Sequence, residues 1–139
     1  VPVGIFIALV LFINCFQDYN ADKAANKNSW VVKLAGPGDK ANYRKPFSIW
    51  KGMMITSFLL IFGASLYAQN YFTLIALIPL LIFNFASKKG SEWLIKWEKE
   101  DANLQQLPYE LLIVNVSTIG IHFLTGVLLT IGVLLSVWI

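Results

Sequence analysis

The chain has 139 residues, 57% of them hydrophobic and 14% charged, with a mean hydropathy of +0.63 and a net charge of +3. A soluble domain carries about a quarter charged residues, so the composition points to an integral membrane protein and away from a water-soluble enzyme. The charge is too small and too localised for nucleic-acid binding, and one cysteine excludes an internal disulfide and a cysteine-rich metal site.

Residues 3–16 are apolar and uncharged, but crossing a ~30 Å hydrocarbon core alone takes ~20 residues. Residues 1–17 are therefore expected to be the end of a transmembrane helix that begins outside this sequence. The opening valine and the lack of a basic leader agree with that expectation. Cys15 reads as a small apolar packing residue.

The stretch 14–27 follows, where the apolar run meets the first charges. Read as helix, Asp18 and Asp22 are four apart, so both carboxylates project the same way with their roots ~5–6 Å apart. Asn14 lies one turn earlier on that face. Two carboxylates side by side at the end of an apolar helix repel each other and are costly to bury unpaired. A divalent cation removes that cost, and Mg²⁺ is held by one or two carboxylates with water and phosphate oxygens completing its shell. Lys23 and Lys27, at the same spacing, are point charges suited to phosphate. The stretch is expected to hold a magnesium-bound diphosphate at the membrane surface. The plainer reading is a solvated helix end with weak i,i+4 ion pairs.

Residues 18–51 form a polar connection carrying Lys23, Lys27, Lys33, Lys40, Arg44 and Lys45. Gly36-Pro37-Gly38 predicts a turn. Residues 29–34 form a short amphipathic piece able to cap the helix ends like a lid, and Trp30 and Tyr43 lie in the same loop. A span over 52–68 follows, with Trp50 and Lys51 at its near interface. After a tight connection, a second span over 71–87 is expected to kink at Pro79. Residues 88–110 are polar again, and Trp93 and Trp97 predict a helix lying in the headgroup layer.

The last span covers 111–139. Its Asn115, Thr118, His122 and Thr125 form one polar stripe, either for hydrogen bonds between helices or as a wall of a substrate cavity. Gly63, Gly120, Gly126 and Gly132 are expected to permit close helix approach. All 11 Lys and Arg lie within 18–51 and 87–110. The positive-inside rule therefore puts both charged connections, and the acid pair, on the cytoplasmic side. The fold class expected is all-α: a transmembrane bundle of about four helices, forming part of a larger one.

The string Asn-x-Phe-x-Asp-Tyr-x-Ala-Asp-Lys-x-Ala-x-Lys from Asn14 to Lys27, with Trp30-Val31-Val32-Lys33-Leu34-Ala35-Gly36 after it, resembles the second aspartate-rich motif of the UbiA superfamily of membrane prenyltransferases. The nearest likeness is to the branch resembling 1,4-dihydroxy-2-naphthoate polyprenyltransferase of menaquinone synthesis. Thr-Ile-x-Ile-His-x-Leu-Thr-Gly-x-Leu-Leu, from Thr118 to Leu129, is similar to that branch's last helix. The resemblance covers both ends of the chain, while the middle agrees mainly in hydropathy.

It implies transfer of a polyprenyl group from its diphosphate to an aromatic acceptor. Asp18 and Asp22 would hold Mg²⁺ as the catalytic pair; Asn14, Lys23, Lys27, Lys33 and Arg44 would bind the diphosphate. Family members are about twice this length, and their first aspartate-rich motif is absent here, so this chain would carry half a site. A rival of another class is a non-catalytic small transmembrane subunit of a larger complex. Enzymes that transfer alcohol phosphates from nucleotide-activated lipids need an Asp-Gly-x-x-Ala-Arg run, and the sequence has none.

Overall fold

Proline suits a helix's first turn, where its missing N–H has no partner to lose, and Pro2 opens the first helix. The computed structural model describes residues 1–36, 41–99 and 107–138. Helix α1 is Pro2–Gln17, α2 Tyr19–Ala24, α3 Trp30–Ala35 and α4 Arg44–Tyr67; a 3-10 segment Tyr71–Leu77 leads into α5 Leu80–Glu98, then α6 Leu107–Glu110 and α7 Leu112–Trp138. Every described element is helical. Three stretches are long and apolar enough to cross a membrane: Arg44–Tyr67, Tyr71–Glu98 and Leu112–Trp138. Leu59, Leu81, Phe123 and Trp138 are exposed on the outside, the distribution expected of helices solvated by lipid rather than water.

Helical spacing sets the core. On α1, Phe6, Leu9, Ile13 and Phe16 recur at three- and four-residue steps and are fully buried, while Ile7 and Leu11 face outward. On α4, Phe47, Trp50, Met54, Phe58 and Ile61 repeat the pattern. Helix α1 packs on α4 and α7, and α5 packs on both as well. The hydroxyls of Ser57 and Ser65 donate to Met53 and Ile61 carbonyls of their own helix, so these buried groups are satisfied within α4.

The two middle spans differ in detail from the sequence expectation. Helix α4 begins at Arg44, so residues 44–51 are helix, and Trp50 is fully buried, its ring stacked 5.3 Å from Phe47. The second span begins as a 3-10 segment, and Pro79 caps the start of α5 instead of kinking a continuous helix. Helix α5 then runs unbroken to Glu98. Trp93 and Trp97 lie on its inward face: both are buried and stack on each other at 5.9 Å. Of the four glycines expected to allow close approach, Gly132 alone does so; a Cβ there would sit 2.7 Å from the Phe72 carbonyl oxygen. Gly63, Gly120 and Gly126 face open space, whereas Gly90 admits the Phe47 ring.

Two helices end in the same turn. At α4, Gln69 adopts φ +53, its N–H bonding to Leu66 O at 3.1 Å and that of Asn70 to Ser65 O at 3.0 Å. This is a Schellman ending, which favours glycine at the left-handed position. Gln69→Gly is therefore expected to raise stability by about 0.5–1 kcal/mol, since a left-handed non-glycine residue costs about 1–2 kcal/mol and glycine's chain entropy returns part of that. Thermal unfolding in detergent would check it; a lower melting temperature would contradict it.

The charged ends gather around Tyr43, just before α4. Its ring lies 5.4 Å from Phe16, 5.5 Å from Tyr19, 5.2 Å from Trp93 and 4.8 Å from Trp97. The Tyr43 hydroxyl donates to Phe16 O at 3.4 Å, and burial pushes its pKa up. Trp97 Nε1 donates to Ala41 O at 2.6 Å. This aromatic knot ties α1, α4 and α5 together at the end where the acid pair lies.

Candidate functional site

Helix α1 ends at Gln17, and Asp18 occupies the junction with α2. The helical step persists across it, because Asp22 N–H bonds to Asp18 O at 2.7 Å. The two carboxylates nonetheless have unlike surroundings: Asp18 is exposed and Asp22 is buried. Asp22 Oδ1 pairs with Lys27 Nζ at 3.0 Å, while Oδ2 is buried and meets no donor. The Lys27 ammonium holds the Asp22 carboxyl below the usual carboxylate range. Asp22 first, with a smaller contribution from Asp18, raises the Lys27 ammonium above the usual lysine range.

The backbone explains why Lys27 returns to Asp22. Asn26 has φ +53; its N–H bonds to Lys23 O at 3.2 Å, and the Lys27 N–H bonds to Asp22 O at 2.8 Å. This is the second Schellman ending, with asparagine, which tolerates the left-handed region, at the turning position. It lays Lys27 over the last turn of α2.

Beyond it lies a cleft of about 430 Å³ lined by Lys23, Asn26, Lys27, Asn28, Val32, Lys33 and Gly36. Three of the expected phosphate-binding lysines thus share one cleft, with Lys23 also 5.8 Å from the Tyr19 ring centroid. Helix α3 contributes Val32 and Lys33 to its lining. Gly36 has φ +85, and its carbonyl accepts from the Tyr19 hydroxyl at 3.2 Å; Pro37 and Gly38 of the expected turn, and Lys40, lie outside the described residues.

Two expected ligands are placed elsewhere. Arg44 makes a paired contact with Glu98, Nε to Oε1 at 3.0 Å and Nη2 to Oε2 at 2.8 Å, beside Trp97 and away from the lysine cleft. Asn14 Oδ1 accepts from Asn115 Nδ2 at 2.9 Å, joining α1 to α7. The polar stripe of α7 thus bonds between helices at Asn115, while Thr118 donates to Val114 O of its own helix. His122 borders a shallow groove along α7 with Gly126 and Thr130, far along the helix from the acid pair.

Sequence reasoning missed Asn26, Asn28 and Ser29. An asparagine just past a helical run is a known stop signal, and it could have indicated Asn26.

Among the described residues, no group of three or more His, Cys, Asp or Glu side chains gathers around one point. The protein's charged oxygen donors here are therefore Asp18 and Asp22. That set suits Mg²⁺, which keeps waters and takes phosphate oxygens besides one or two carboxylates. The orphan Asp22 Oδ2 is a buried acceptor with capacity for such a cation. No family model, curated protein or solved structure matches the chain.

Proposed function

We propose that the chain is part of an integral membrane prenyltransferase that moves a polyprenyl group from its diphosphate to an aromatic acceptor. The observation that carries this reading is the buried Asp22 carboxylate, with one oxygen unpartnered, beside a cleft that collects Lys23, Lys27 and Lys33 at the end of an apolar helix. A second feature supports it. An apolar groove of about 360 Å³ lies between α1 and α4, bordered by Leu11, Phe12, Cys15, Ile49 and Met53, with Trp30 of α3 also lining it. It reaches to within one turn of Asp18 and suits an isoprenoid tail.

Asp18 and Asp22 would hold Mg²⁺, which would supply positive charge against the leaving diphosphate. Lys23, Lys27 and Lys33 bind the phosphate oxygens and stabilise the leaving group's growing charge. The chain's apolar walls keep water from the allylic cation until the aromatic ring attacks it, the attacked ring carbon then losing its proton, or its carboxyl group as carbon dioxide, to restore the aromatic ring. The first aspartate-rich motif of the family the sequence resembles would complete the diphosphate site. The acceptor named by that resemblance is 1,4-dihydroxy-2-naphthoate, and the distribution of lysines supports a site on the cytoplasmic side of the membrane.

The test is transfer from a labelled polyprenyl diphosphate to 1,4-dihydroxy-2-naphthoate in membranes containing the intact protein. Product that disappears with EDTA and returns with Mg²⁺ is expected. Diphosphate release without prenylated naphthoate would keep the site and change the acceptor. Neither product nor release from folded protein would put a non-catalytic subunit in its place.

A further inference from the structure

The two oxygens of Asp22 differ sharply. One is in contact with the Lys27 ammonium at 3.0 Å; the other has no partner. The acid's side chain is 7% exposed, but that of Lys27 is 67% exposed. The acid is thus fixed in the protein, whereas its cation stands at the rim of the cleft and can swing on its four-carbon stem. The same ammonium also lines the cleft with Lys23 and Lys33. Exchanging one partner for the other therefore requires rotation of a single flexible side chain, with the Schellman turn at Asn26 left in place.

We propose that Lys27 is a stand-in cation, which neutralises Asp22 while the site is empty and moves to the diphosphate when the metal takes its place. The proposal rests on the acid pair being the metal site. An ammonium at contact distance and a divalent cation compete for the same carboxylate and repel each other. Metal alone must displace Lys27 with no new partner to receive it. Metal arriving with diphosphate gives Lys27 a phosphate oxygen as the carboxylate is lost. The two ligands are therefore coupled: each binds better with the other present. Asp18, which also acts on the Lys27 ammonium, stays exposed to receive the cation first. A membrane site built this way avoids sequestering free metal and closes around the complete substrate complex.

The test is manganese binding, since Mn²⁺ shares the charge and oxygen preference of Mg²⁺. Equilibrium dialysis of the intact protein in nanodiscs of zwitterionic lipid, with and without inorganic pyrophosphate, would count protein-bound metal. Without pyrophosphate, Lys27→Met is expected to bind Mn²⁺ on the order of fivefold more tightly than wild type, the scale set by loss of a partly exposed ion pair. Lys27→Arg keeps the charge and should bind as wild type does. With pyrophosphate the order should reverse, Lys27→Met holding less metal than wild type. If Lys27→Met binds no better than wild type without pyrophosphate, while Asp22→Asn abolishes binding, the exchange is overturned and the metal site stands. If wild type and Asp22→Asn bind equally, the metal site itself fails and the exchange with it.

Discussion

Asp22→Asn in the intact protein is expected to lower prenyl transfer about a thousandfold, because an amide cannot bring a metal's charge to the leaving diphosphate. The substitution keeps the shape of the side chain, so the fold should survive. Asp22 lies in α2, and the Schellman turn that follows it is made by backbone groups. The loss should appear in kcat more than in the binding of the apolar tail, proposed to lie between α1 and α4. Parallel measurement of melting temperature and turnover separates the two effects. A folded variant that retains more than about a tenth of wild-type turnover would contradict the role given to Asp22.

The largest effect on stability is expected at Trp97. It is buried against Tyr43 and Trp93 and donates to the Ala41 carbonyl at 2.6 Å. Trp97→Ala should cost about 3–5 kcal/mol, the range for deleting a buried tryptophan. Trp97→Phe keeps most of the ring contact and should lose about 1 kcal/mol, the net worth of an ordinary hydrogen bond. Denaturation in detergent would give both values. Equal, small losses would mean that the end of α5 is held by its ion pairs, Arg44–Glu98 and Lys96–Glu110, and not by the aromatic knot.

Much of the fold could be read from hydropathy, because a bilayer leaves few solutions. Apolar runs of spanning length must be helices that satisfy their own backbone, and the charges marked which ends belong together. The boundaries were harder. The charge of residues 44–51 and 88–98 suggests a loop and an interfacial helix, yet both segments prolong the neighbouring helices. Their polar side chains face outward while Trp50, Trp93 and Trp97 turn inward, and a count of charges does not register which face is buried. The 3-10 start of the second span has no clear sequence signal besides Pro79.

At the site, the four-residue spacing of Asp18 and Asp22 and the run of lysines were legible. Spacing alone suggested equivalent carboxylates. The helix break at Asp18 makes one exposed and one buried, and the left-handed Asn26 brings Lys27 onto the buried one. Arg44 was assigned to the diphosphate by charge and proximity in sequence; Glu98, 54 residues away, claims it. Long-range pairings of that kind are invisible to local patterns.

The most direct measurement is a structure of the intact protein with Mg²⁺ and a polyprenyl thiolodiphosphate that cannot be cleaved. The diphosphate is expected in the cleft of Lys23, Lys27 and Lys33, with a cation on Asp18 and Asp22, Lys27 turned away from Asp22, and the tail between α1 and α4. A diphosphate bound elsewhere, with the Asp22–Lys27 pair still closed, would contradict the site.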